Sequence, residues 1–124
     1  MQILVRLAIA AQALFMLFMG SQFVLRPIET AANFAIGPLS LLGNATLRAD
    51  MGGFFISGAL FALYAAVRGV RGPLLVPIVL MLCAIFGRLV SFAVDGVAPG
   101  AVPPIVAELI MLAIVLAGYR TLAR

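Results

Sequence analysis

The sequence has no histidine, no tryptophan and no lysine, and only four acidic residues in 124 positions. Each absence removes a class of function. Without histidine there is no imidazole base at neutral pH, no histidine-ligated haem and no histidine metal site. The single cysteine, Cys83, cannot close an internal disulfide, and a thiol relay would need a second thiol. It is expected to be a small buried hydrophobe inside an apolar run. All eight basic residues are arginines, scattered along the chain, so the formal charge of +4 forms no stripe for nucleic acid. No cofactor, no metal and no catalytic group is expected.

What is abundant is hydrocarbon. Hydrophobic residues make up 65% of the chain and charged ones 10%. A soluble fold of this length leaves much of its surface in water and cannot hide so much apolar area. In lipid the same residues face hydrocarbon at little cost, provided that backbone polar groups pair internally. The apolar runs are long and unbroken, unlike the short alternating segments of a membrane barrel. The expected fold class is therefore all-α, a single membrane domain over residues 1–124 built as a four-transmembrane-helix bundle.

The first run, from Ile3 to Leu25, is too long for a signal-peptide core and lacks a small-x-small cleavage site, so it reads as a retained span. Arg26-Pro27 ends it. Residues 27–45 form an outer connection. Pro27-Ile28-Glu29 can open a short helix at the membrane interface or over the bundle mouth, and Gly37-Pro38 would stop it. Asn44 is the expected N-cap of the second span. The four spans are placed at 3–25, 46–67, 73–94 and 103–122, each about 20 residues, enough for a hydrocarbon core of about 30 Å.

With an even number of spans both termini share a side with the turn between the second and third helices. That side carries Arg6, Arg68, Arg71, Arg120 and Arg124 and no acid. The positive-inside rule then places the termini in the cytoplasm of a bacterial inner membrane, and residues 26–45 and 95–103 outside it.

Five charges lie within or at the edge of the spans toward that outer side: Arg48, Asp50, Arg88, Asp95 and Glu108. Charges in a span are costly and usually face a bundle interior or a wet cavity, where they pair. Arg88 and Asp95 are two helical turns apart and share a face with Ser91. Thr46, Asp50, Gly53 and Ser57 also follow helical spacing. Arg88, the deepest cation, has Asp50 and Glu108 as natural partners, while Arg48 points elsewhere, to a head group or Glu29. Gly53 with Ser57 and Gly58 with Ala62 form small-xxx-small pairs that let helices approach closely. Phe54, Phe55, Phe61, Phe86 and Phe92 fill the core or face lipid unless a ligand lies between them. Tyr64 and Tyr119 suit an interface, and Gln12 and Gln22 carry no assignment.

Leu47-Arg48-Ala49-Asp50-Met51-Gly52-Gly53-Phe54-Phe55, followed by Gly87-Arg88-Leu89-Val90-Ser91-Phe92-Ala93-Val94-Asp95-Gly96, resembles a widespread bacterial family of small four-helix membrane proteins, a domain-of-unknown-function family. The resemblance covers nearly the whole chain. It implies a four-helix inner-membrane protein and no particular chemistry. Small multidrug exporters fit poorly, since they carry an essential glutamate in the first helix. Quinone-linked thiol oxidases need cysteine pairs.

Three functions follow from the charges and the Gly/Ala faces. The first is a binding protein whose outer pocket, built from Arg48, Asp50, Arg88, Ser91, Asp95 and Glu108, holds a lipid head group or small amphipathic ligand. The second is an accessory subunit or small oligomer that docks on other membrane proteins or on itself. The third is an enzyme or proton-coupled transporter using Asp50 or Glu108, since carboxylates carry protons within membranes.

Overall fold

The computed structural model describes residues 1–124, and the protein is all-helical. Helix α1 spans Gln2–Leu25, and the short α2 spans Pro27–Ala32. Next, α3 (Leu41–Thr46) runs through a π-helical stretch, Leu47–Gly52, into α4 (Gly53–Arg68). A single 3-10 turn, Gly72–Leu74, leads into α5 (Leu75–Asp95), and α6 spans Val102–Thr121. Four stretches are long and apolar enough to cross a membrane: Gln2–Leu25, Leu41–Arg68, Gly72–Asp95 and Val102–Thr121. Only 24 of the 124 residues are buried, and the outer surface is covered with leucine, isoleucine, valine and phenylalanine. Such a surface is a liability in water and ordinary in lipid.

The four spans form a ring in which α1 packs on α4 and α6, and α5 packs on α4 and α6. The buried stripe of α1 is Ile9, Gln12, Ala13, Met16, Gly20 and Phe23, which is the helical period. Three glycines set the close approach of α1 and α4. A Cβ at Gly20 would lie 2.6 Å from Ile56 Cγ1, one at Gly52 2.9 Å from Val24 Cγ2, and one at Gly58 2.6 Å from Met16 Cε. The expected Gly58–Ala62 pair therefore packs, with Ala62 fully buried. The Gly53–Ser57 pair does not, because a Cβ at Gly53 would meet nothing within 4 Å. Cys83 is also displaced from its expected place. It is exposed, because Met81 and Ile85 carry the buried stripe of α5 on the other face.

The second span begins five residues earlier than position 46. Ser40 has extended backbone, and its hydroxyl accepts a hydrogen bond from Gly43 N at 3.4 Å, so Ser40 caps the helix. Asn44 lies inside α3 instead, with its Oδ1 buried and unpartnered.

At the end that holds both termini the packing is tight. Arg6 Nε donates to Ala66 O at 2.6 Å and its Nη2 to Val67 O at 2.7 Å, capping the C-terminus of α4. A charge-assisted hydrogen bond of this kind contributes about 1.5–3 kcal/mol. Gly69 then takes the left-handed conformation, φ 71°, that turns the chain toward α5. Backbone bonds Arg71 N to Ala123 O (2.8 Å) and Ala123 N to Gly69 O (3.2 Å) tie this turn to the C-terminus. The Arg71 guanidinium lies 5.1 Å above the Tyr119 ring.

At the opposite end α2 folds back over the bundle mouth. Pro27 occupies its first turn, and Thr30 Oγ1 donates to Arg26 O at 2.6 Å and to Gln22 O at 3.0 Å. The helix ends in a Schellman motif, with Ile36 N bonded to Ala31 O and Ala35 N to Ala32 O. Ala35 takes the left-handed position, φ 57°, usually held by glycine. This places Phe34 5.5 Å from Phe23, which stacks on Phe55 at 5.8 Å. Ala31 and Phe23 are fully buried, so α2 belongs to the bundle and is not laid flat on the interface.

Helices α5 and α6 close only toward the termini. The buried residues of α5 end at Ile85, and those of α6 are Val115 and Gly118. Their halves away from the termini are less buried, and a space opens there between them and α1 and α4.

Candidate functional site

The turn between α5 and α6 sets what can meet there. In an antiparallel hairpin, residues equally distant from the turn sit side by side. Arg88 and Glu108 lie ten residues either side of Ala98, and they pair. Arg88 Nε donates to Glu108 Oε2 at 2.8 Å, with side-chain exposures of 33% and 16%. Arg88 is seven residues before the end of α5, about 10 Å along the axis at about 1.5 Å per residue. An isolated arginine near the middle of a span costs about 2.5–3.5 kcal/mol on insertion scales, which is the reason for the pairing.

The other four candidate residues do not join this pair. Arg48 is exposed and its Nε donates to Val24 O at 2.9 Å, so it caps the C-terminus of α1 and does not pair with Glu29. Glu29 instead lies 3.8 Å from Arg26 in an exposed pair. Asp50 has no hydrogen-bond or ion-pair partner and is exposed. It belongs to the π-helical stretch Leu47–Gly52, where the chain gains a residue per turn relative to the α-helix. That widening points Leu47 and Gly52 inward and turns Asp50 out, away from Arg88. Ser91 Oγ donates to Asp95 Oδ2 at 3.2 Å, but both are exposed and neither joins the pair. No charged residue of the protein is buried. The expected five-charge cluster is thus replaced by one ion pair, one helix cap and two exposed acids.

The pair forms part of the wall of a cavity of about 230 Å³ between the α1–α4 and α5–α6 halves. The rest of the lining is nearly all apolar and includes Phe15, Met19, Phe34, Phe54, Phe55 and Met111. Phe54 meets Phe55 edge-on at 5.2 Å. Phe34, brought over by α2, roofs the space. Of the five phenylalanines noted in the sequence, Phe54 and Phe55 line this cavity, whereas Phe61 and Phe86 face outward. Only Nε of the Arg88 guanidinium is engaged, so its two terminal nitrogens remain as donors at the cavity wall. No group of three or more metal-ligating side chains exists.

A residue that sequence reasoning left unassigned lies on the adjoining part of α1. Gln12 is 6% exposed, and neither its Nε2 nor its Oε1 has a hydrogen-bond partner. The signal was present. Gln12 stands at helical spacing from Ile9, Met16 and Gly20, so it lies on the buried stripe of α1.

No curated protein and no solved structure matches the chain. A domain of unknown function, DUF4345, matches residues 4–119. With four membrane-length helices and this family match over nearly its whole length, the chain belongs to the DUF4345 family.

Proposed function

We propose that this protein binds a small single-chain amphiphile in the outer half of its bundle, with the head against Arg88 and the apolar body in the cavity. One observation carries the reading: a guanidinium with free terminal donors stands, beside its partner Glu108, in the wall of a space whose remaining lining is nearly all apolar. Arginine forks recognise carboxylate and phosphate groups. The partner Glu108 offsets the Arg88 charge when no ligand is present. About 230 Å³ lies below the range of about 300–1,000 Å³ typical of drug-sized pockets, which favours a chain over a whole two-tailed lipid. The proton-carrier reading is less favoured, because Asp50 stands outside the cavity and Glu108 is already held by Arg88.

The test is equilibrium binding of a saturated fatty acid to nanodisc-embedded protein. The Arg88→Leu/Glu108→Leu double variant is expected to bind about 10- to 100-fold more weakly than wild type, the loss of one charge-assisted contact. Equal binding by both proteins would rule the reading out.

In the same reading the termini face the cytoplasm of a bacterial inner membrane. Support comes from the terminal end of the bundle, where Arg6, Arg68, Arg71, Arg120 and Arg124 gather without an acid. In a Cys83→Ala background, a membrane-impermeant thiol reagent should label Ala98→Cys in intact cells and Arg124→Cys only after lysis. The reverse pattern would invert the orientation and place the cavity on the cytoplasmic side.

A further inference from the structure

Gln12 sits midway along α1 and lines a groove of about 420 Å³ at the α1–α6 seam, with Ile110 and Ile114 across from it. The groove shares Phe15, Ala107 and Met111 with the cavity beside Arg88 and Glu108, so the two spaces adjoin at those side chains. Gln12 is the only polar residue lining the groove. Its primary amide offers donors and an acceptor, and none is satisfied. A buried amide without a partner is costly, more so in hydrocarbon than in a wet site. Water does not resolve this, because a buried water needs two or more polar partners and the groove supplies one residue. A leucine or methionine here would pack without the penalty.

We propose that Gln12 is an inner recognition residue that binds a second, uncharged oxygen of the amphiphile, a hydroxyl or carbonyl within its apolar body. The inference rests on the binding reading above and adds the class of ligand. The groove brings Gln12 level with the Ile110–Ile114 turn of α6, about one helical turn (about 5 Å) deeper than Glu108. The ligand therefore carries its acidic head at Arg88 and a hydrogen-bonding oxygen about one turn further in. The walls beside Gln12 are Ala8, Ala11 and Ala107, small enough for a change of rotamer to bring the amide into the groove. An unsubstituted acyl chain leaves the amide unpaired, so the site discriminates against ordinary membrane chains by the mechanism that rejects an analogue lacking a bonded hydroxyl.

The probes are a saturated fatty acid and a series of the same acid with one hydroxyl at successive carbons in the first half of the chain. Competition in nanodiscs should show wild type preferring one hydroxylated position by about tenfold, which is about 1.4 kcal/mol. Gln12→Leu should bind the plain acid at least as tightly as wild type does and lose the preference. Wild type that binds all probes equally, with Arg88 still required, overturns the inference and leaves the binding reading intact. A preference that survives in Gln12→Leu also overturns it. If the plain acid binds regardless of Arg88 and Glu108, the binding reading itself has failed. Light scattering on the same samples provides the last arm. A wild-type dimer that Gln12→Leu dissociates would make the amide's partner a second copy of this chain, and the inference would be wrong.

Discussion

Glu108→Ala is expected to destabilise the protein by about 3 kcal/mol, and Arg88→Leu/Glu108→Leu to recover most of that loss. Removing the acid leaves the Arg88 guanidinium about 10 Å inside the span with no counter-charge. Breaking an ion pair from one side costs about 3–5 kcal/mol where it is buried, and the partial exposure here places the effect at the lower end. Replacing both partners with leucine removes the stranded charge together with its partner, and such replacements are often neutral or stabilising. The measurement is reversible unfolding in mixed micelles, read as a double-mutant cycle. The single and double variants should differ by at least 1.5 kcal/mol, about the strength of a charged hydrogen bond. If Glu108→Ala unfolds like wild type, Arg88 is stabilised by lipid or water, and the ion pair has no structural weight.

Gly20→Val is expected to cost about 2–3 kcal/mol in the same assay, and Gly53→Ala nothing. A Cβ at Gly20 would lie 2.6 Å from Ile56 Cγ1 and 3.1 Å from Ile56 N. The second contact is backbone, so rotating a side chain cannot relieve it and α1 must move off α4. Overpacking of that kind costs about 1–3 kcal/mol, and here the displaced interface is the most extensive in the bundle. At Gly53 the added methyl meets nothing, and alanine is favoured over glycine within a helix by about 0.5–1 kcal/mol. The two positions look alike in sequence, each a glycine within a helix. Equal costs at both would mean that the π-helical stretch before α4 is misplaced and that Gly53 faces a neighbour.

That contrast marks what could be read from the residues alone. The number of spans and their approximate limits follow from apolar run lengths, because hydrocarbon thickness sets them. The Arg88–Glu108 pair was within reach, since a hairpin centred on Ala98 brings those two together whatever the details. The fate of Asp50 was not. Its expected face assumed about 3.6 residues per turn, and the π-helical stretch breaks that count by an amount no local residue announces. Ser40 competed with Asn44 for the cap and won because the chain is extended at Ser40, a backbone choice made by the fold of the preceding loop. Gln12 was visible as a polar residue on a buried stripe, but its lack of a partner is a property of three helices together.

The space between the less buried halves of α5 and α6 and the other two spans has a consequence for how any guest arrives. On the proposed binding reading, a guest enters from among the acyl chains at the α1–α6 seam, which adjoins the Arg88 cavity at Phe15, Ala107 and Met111, and does not cross the bulk aqueous phase. Capture is then a search in two dimensions. Occupancy follows the guest's mole fraction in the leaflet, and a molecule almost insoluble in buffer can fill the protein at trace total amounts. Titrations should accordingly collapse onto one curve when plotted against guest per lipid, and scatter when plotted against guest per volume.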